Sequence, residues 1–310
     1  MLYYSLEQQI ASVSQIKKET VIFMSIKLPY KILSGLAAVI MVTCLCFYSE
    51  HQLKATIAGK SAEGIAVPVI MYHHILEQSN RWGAYVISPK QFQSDLKFLK
   101  EQGYTAVSGQ QLIDYTEHNT PLPEKPVLIT FDDGYESSYQ YAYPILKEEN
   151  CKAIISIIGK YSDYYSGNVP KDISYSHMNW GQIKELSESN LIEIGNHTYD
   201  LHESRGKRKG CRINKGESVT DYYAVLSEDV GMLQDKINTI TKIKPAVFAY
   251  PFGFYCKESE PILKQMGIKL TLGCEEGVTV VNDAGSLYNM KRYNRAHGKS
   301  SEAFFKTILS

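Results

Sequence analysis

The chain has 310 residues, with 33 basic and 33 acidic side chains, a formal net charge of zero, 44% hydrophobic residues and 21% charged residues. This excludes a disordered chain, and 21 Gly with 11 Pro exclude a collagen-like or Pro-rich fibre. The lack of a basic excess argues against a dedicated nucleic-acid binder and gives no general attraction to an acidic membrane.

No charged residue lies between Lys31 and Glu50, and residues 32–48 are almost wholly apolar. A run of this length can span a bilayer. The preceding Lys17, Lys18, Lys27 and Lys31 favour a cytoplasmic N-terminus with the remainder outside. The run exceeds a usual signal-peptide core and no clear small-x-small site follows it, so a signal anchor is favoured over a cleaved signal, which would give a secreted protein. Met24 offers an alternative start, placing a short basic stretch directly before the run. The expected organisation is a cytoplasmic segment (1–31), an anchor (32–49), a linker (50–64) and an exported domain (65–310). Cys44 and Cys46 fall in the apolar run; Cys151, Cys211, Cys256 and Cys274 match no zinc spacing, and buried thiols and a disulfide both stay open.

Beyond the linker, residues 67–71 read as a strand. Ser88 as cap and Pro89 at the first position begin a helix carrying Phe92, Leu96 and Leu99, and a second helix starts near Ser108. Strands are predicted at 127–131, 153–158, 191–194, 246–249 and 269–272, and helices at 139–149, 180–189, 218–240 and 258–266. This alternation predicts a mostly parallel sheet with helices outside, and leaves an open sheet and a (β/α) barrel both open.

Polar residues gather where strands end. Asp132 and Asp133 follow one strand, His197 and His202 follow another, and Tyr250-Pro251-Phe252-Gly253 follows a third. Each piece alone has a plainer reading as a turn, a helix cap or an incidental histidine. Together they sit where α/β folds build active sites, and one carboxylate with two imidazoles suits a three-ligand metal centre. The histidines are five apart, so they must meet across a loop rather than on one helical face.

Thr130-Phe131-Asp132-Asp133-Gly134 and His197-Thr198-Tyr199-Asp200-Leu201-His202 resemble the first two signatures of the polysaccharide deacetylases, the NodB-like domain of carbohydrate esterase family 4. Val69-Ile70-Met71-Tyr72-His73-His74, Met178-Asn179-Trp180 with Glu193-Ile194-Gly195-Asn196, and Phe248-Ala249-Tyr250-Pro251-Phe252-Gly253 resemble the family's opening strand, its approach to the histidines and its third motif. The wider histidine spacing resembles the subgroup acting on poly-β-1,6-N-acetylglucosamine.

The resemblance implies an α/β fold, a distorted barrel of about seven strands, and metal-dependent removal of N-acetyl groups from a cell-surface glycan, either poly-N-acetylglucosamine or peptidoglycan. It assigns Asp133, His197 and His202 as metal ligands and Asp132 as general base. Zinc is the expected ion, with Co2+, Ni2+ or Mn2+ as alternatives. Tyr250, Pro251 and Gly253 are expected near the substrate or oxyanion, His73 and His74 on the pocket wall, and Trp180 and Tyr199 against a sugar ring or in the core. An Arg that many relatives carry before the third-motif Pro is replaced by Ala249, and Arg292 or Arg295 are the candidates to stand in. The late Leu-x-x-His motif is not recognisable, which leaves His297 as a candidate acid or a plain surface histidine. Residues 205–212 form a basic loop, read as a solvated turn or as a contact for an anionic polymer. The expected partners are the glycan and, through the N-terminal run, the membrane; no nucleic acid is expected, and a monomer is. An O-acetyl esterase and an inactive glycan-binding module are the alternative functions.

Overall fold

The computed structural model describes residues 64–309. The expected cytoplasmic segment, the Met24 start, the apolar run and almost all of the linker lie outside the described residues. Among the described residues, no helix is long and apolar enough to cross a membrane.

The domain opens with β1 (Ile65–Val67), β2 (Val69–Tyr72), β3 (His74–Ile75) and β4 (Val86–Ile87). Ser88 caps α1 (Pro89–Glu101) by accepting the Gln91 N–H, and Pro89 sits where a missing N–H costs nothing. After β5 (Thr105–Val107), a reciprocal capping box between Ser108 and Gln111 starts α2 (Gly109–His118). β6 (Pro126–Phe131) is buried along its whole length. A π-helical turn, Ser138–Ala142, then runs into α3 (Tyr143–Glu148). Next come β7 (Ala153–Ile157), α4 (Gly159–Ser166), α5 (Trp180–Ser187), β8 (Ile192–Asn196) and the long α6 (Val219–Thr241). β9 (Val247–Ala249), α7 (Ser259–Gln265), β10 (Leu270–Leu272), β11 (Thr279–Val281), β12 (Tyr293–Asn294) and α8 (Ser301–Phe305) complete the domain.

Seven strands pair in the order β10-β9-β8-β7-β6-β2-β12, all parallel, with β5 added along the first half of β6. The segment leading into β12 meets the opposite end of this row. Met290 bridges Leu272 of β10, and Tyr293 and Asn294 then pair with Ile70 and Met71 of β2. The row therefore curls back on itself, as the distorted seven-stranded barrel requires. Side chains alternate between two apolar clusters. Ile70, Ile129 and Ile155 join the helices through Phe92, Ile183 and Leu233, whereas Val69, Leu128 and Ile154 join Val247 and Leu270. Both faces of the sheet are covered, so its strands read as apolar runs rather than as alternating ones.

Candidate active site

Parallel β/α topology places every loop that follows a strand at one end of the sheet. Asp132 and Asp133 emerge from β6 there. Asp133 adopts φ 70° and Gly134 φ 71°, a double left-handed step that turns the chain sharply. A Cβ on Gly134 would come within 2.9 Å of Ile157 on the neighbouring strand, so only glycine fits.

His197 follows β8. Its Nδ1 lies 2.7 Å from the Ala249 carbonyl, which can only accept, so Nδ1 carries the proton and the Nε2 lone pair faces Asp133 at 3.5 Å. His202 brings Nε2 to 3.1 Å from the same Asp133 oxygen and packs its ring on Phe252, 4.4 Å between centroids. The loop between the histidines is held from α6, where the Asp229 carboxylate accepts the Tyr199 and Asp200 N–H groups at 2.7 and 2.8 Å. Below it, Asn196 clamps the backbone by accepting from Thr198 N–H and donating to the Val230 carbonyl. One donor atom from each of Asp133, His197 and His202 lies within 4.8 Å of the others. Ligands at about 2.0–2.1 Å around a tetrahedral ion stand a little over 3 Å apart, so these separations and the two-imidazole, one-carboxylate donor set fit a divalent ion such as zinc.

Asp132 is buried beside this triad and faces the fully buried Arg292. The guanidinium engages the carboxylate in a fork, Nη1 to Oδ1 and Nη2 to Oδ2, both at 2.8 Å, while its Nε donates to the Gly273 carbonyl at 2.6 Å. Burial would raise the Asp132 carboxyl, but the charge and hydrogen bonds of Arg292, aided by His197, outweigh it and hold the group below the ordinary carboxylate value. Arg292, directly before β12, thus supplies the guanidinium that Ala249 does not.

A cavity of about 390 Å³ opens over these groups, lined also by His73, His74, Tyr85, Tyr135, Phe252 and Cys274. His74 is fixed by Ser137 Oγ at 2.6 Å and the Ser174 carbonyl at 3.2 Å, and stacks on Tyr135 at 4.1 Å. Burial pushes its pKa down to about 4. His73 keeps a buried Nδ1 with no hydrogen-bond partner. Tyr85, Tyr135, Phe252, Cys274 and Asp229 were not among the expected site residues. Phe252 lies inside a quoted motif and Tyr135 directly follows one, whereas no local signal marks the other three. A second cavity, about 260 Å³ and lined by Glu193, Lys152 and Ile243, lies under the starts of β8 and β9, at the end of the sheet away from Asp133, His197 and His202.

Other expectations are corrected. The Tyr250 N–H donates to Leu272 O at 3.0 Å, the Gly253 N–H returns to Tyr250 O at 2.9 Å, and Pro251 has none, so these three offer no free backbone donor. The Tyr250 ring is buried. Arg295 binds Asp95 at 2.8 and 3.0 Å, within a buried network that Tyr72 and Ser301 complete. Its job is structural. His297 lies outside the cavity, bonded to Gln91 Oε1 at 3.0 Å and beside the Trp82 ring. Trp180 and Tyr199 both donate to Asp163, at 2.8 Å each, and neither lines the cavity. All four cysteines of the domain are free.

A polysaccharide deacetylase family model matches residues 119–271. The chain is 24% identical over 305 residues to the poly-beta-1,6-N-acetyl-D-glucosamine N-deacetylase of Escherichia coli K12, covering 90% of this chain and 45% of that protein. It is 26% identical over 200 residues to the enzyme of the same name from Staphylococcus aureus, covering 64% of each. Among solved structures, IcaB from Ammonifex degensii is 28% identical with a TM-score of 0.61, covering 74% of this chain and 92% of that one. A de-N-acetylase from Aggregatibacter actinomycetemcomitans shares the fold at a TM-score of 0.67 and 24% identity, covering 78% and 100%. The barrel carries a two-histidine, one-aspartate triad beside a second, Arg-bound aspartate. The chain carries a polysaccharide deacetylase domain over residues 119–271, and it spans less than half the length of its E. coli relative.

Proposed function

We propose that the domain hydrolyses the N-acetyl groups of a β-1,6-linked N-acetylglucosamine polymer and releases acetate. One observation carries this reading. A buried carboxylate, forked by an arginine and kept ionised, stands beside three convergent metal-type ligands on the floor of one open cavity. The names of the relatives support the substrate class; peptidoglycan is the second candidate glycan.

Asp133, His197 and His202 would hold the divalent ion, zinc or else Co2+, Ni2+ or Mn2+. Such an ion supplies Lewis-acid polarisation of the acetyl oxygen and a water of lowered pKa. The chain's own residues do the rest. Arg292 holds Asp132 ionised and oriented, so that it takes the proton of the attacking water. Phe252 contributes the remaining N–H of its turn toward the developing oxyanion. The proton then returns to the leaving nitrogen, a relay we assign to His73, which lines the cavity and whose Nδ1 has no protein partner. An O-acetyl ester would meet the same groups. An inactive module would lack selection for a base and three ligands together, and all four are present.

The test is acetate release from β-1,6- and β-1,4-N-acetylglucosamine oligomers, peptidoglycan and acetylxylan. Asp132→Asn is expected to lower turnover by about 10²–10⁴-fold while stoichiometric metal uptake persists. No release from any substrate with metal restored would refute the enzyme. We further propose that the apolar run at residues 32–48 tethers the domain outside the cell membrane. The full chain should sediment with membranes and a chain starting near residue 60 should not.

A further inference from the structure

Residues 203–217 hold six basic side chains against Glu203 and Glu217, whereas residues 51–310 as a whole hold 29 basic and 30 acidic ones. Among the described residues, only Arg208 of the six has a carboxylate partner, Glu217. Arg205, Lys207, Lys209, Arg212 and Lys215 are exposed. The loop is fastened to the turn that borders the cavity. The Cys211 N–H donates to the Phe254 carbonyl at 3.1 Å, and the Arg212 guanidinium lies 4.7 Å from the Phe254 ring. Phe254 is 5.7 Å from Phe252, whose ring covers His202 at 4.4 Å. Unpaired positive charge therefore stands two rings away from His202, on that side of the cavity mouth.

The reaction proposed above changes charge at that place. An acetamide is neutral, and the amine it becomes is cationic once protonated. Like charges held close disfavour a wrong partner without adding any contact to the right one. We propose, on the strength of that deacetylase reading, that the basic loop is a specificity element: it leaves the neutral, acetylated glycan unaffected and repels stretches already converted to amine. Product is thereby discouraged from rebinding, and the site favours acetylated runs.

The experiment compares the full chain with a variant carrying Arg205→Gln, Lys207→Gln, Lys209→Gln and Arg212→Gln. Arg208 is retained because it holds Glu217. Titration with a glucosamine hexamer at about pH 6.5 should show the variant binding about three- to tenfold tighter than the wild type at low salt, with the gap closing near 0.5 M salt. Affinity for the fully N-acetylated hexamer should not change. Equal affinity of both proteins for the glucosamine hexamer overturns the proposal. So does a variant that loses only its binding to inorganic polyphosphate, because the loop then serves a polyanion. Acetate release from the neutral hexamer is read in parallel. Its absence in both proteins discards the reaction, and the hexamer titration still decides the loop.

Discussion

Arg292 is the residue on which the site turns. It is wholly buried, and its planar fork matches the Asp132 carboxylate at two equal distances. In Arg292→Gln the carboxylate stays buried without its counter-charge. Desolvation then prevails, the Asp132 carboxyl rises, and the acid limb of the pH–rate profile should move to higher pH. Turnover should fall by about 10²-fold or more, and stability by about 3–5 kcal/mol. A limb that stays in place would disprove the role given to Arg292. His177 is a second test at this scale. It stacks with Tyr135 and Tyr161, its Nδ1 has no partner, and burial lowers its pKa to about 4. An unfolded histidine titrates near 6.5, so between about pH 6.5 and 4 the unfolded chain binds the extra proton. Stability from this group is therefore complete above about pH 6.5 and is lost as pH falls toward 4. His177→Phe keeps a ring in the stack and should show a smaller fall in Tm between pH 7 and 5 than the wild type.

At the scale of elements, α6 does more than cover the sheet. Its buried face carries Tyr222, Leu226, Val230 and Leu233, and Asp229 beside them reaches over to pin the histidine loop. An Asn has one acceptor where Asp has two, so Asp229→Asn should free one N–H and loosen His202. Metal affinity is expected to drop about tenfold with far-UV circular dichroism unchanged; calorimetric metal titration checks it. The helices that begin with a cap were legible from their letters. Ser88-Pro89 and Ser108 with Gln111 state their own starts, because the bonds they make span three residues. β12 carried no such signal. Two partly buried residues show no periodicity, and their pairing with β2 comes from about 220 residues away. β5, β11, α4 and α8 were likewise too short or too polar to announce themselves. The helix expected at 139–149 begins instead as a π-turn.

For the whole domain, the decisive event is the return of residues 290–295 to the first strand. It closes the row of strands and also delivers two buried arginines to different partners, Arg292 to Asp132 and Arg295 to Asp95. Removing the charge at Asp95 leaves Arg295 buried and unpaired. Asp95→Asn should therefore lower Tm by roughly 10 °C yet leave acetate release per folded molecule intact at 25 °C. A catalytic defect in the folded variant would contradict the separation of these roles. The sequence by itself determined the strand–helix alternation, the two aspartates, the two histidines and the family, because these lie in short segments whose chemistry is local. Only the tertiary structure decided which late arginine serves Asp132, that His297 and Trp180 stand outside the cavity, and that the Tyr250 N–H is already committed. Each of those depends on which distant segment meets the end of a given strand. The closed parallel sheet sets those meetings, and no spacing along the chain records them.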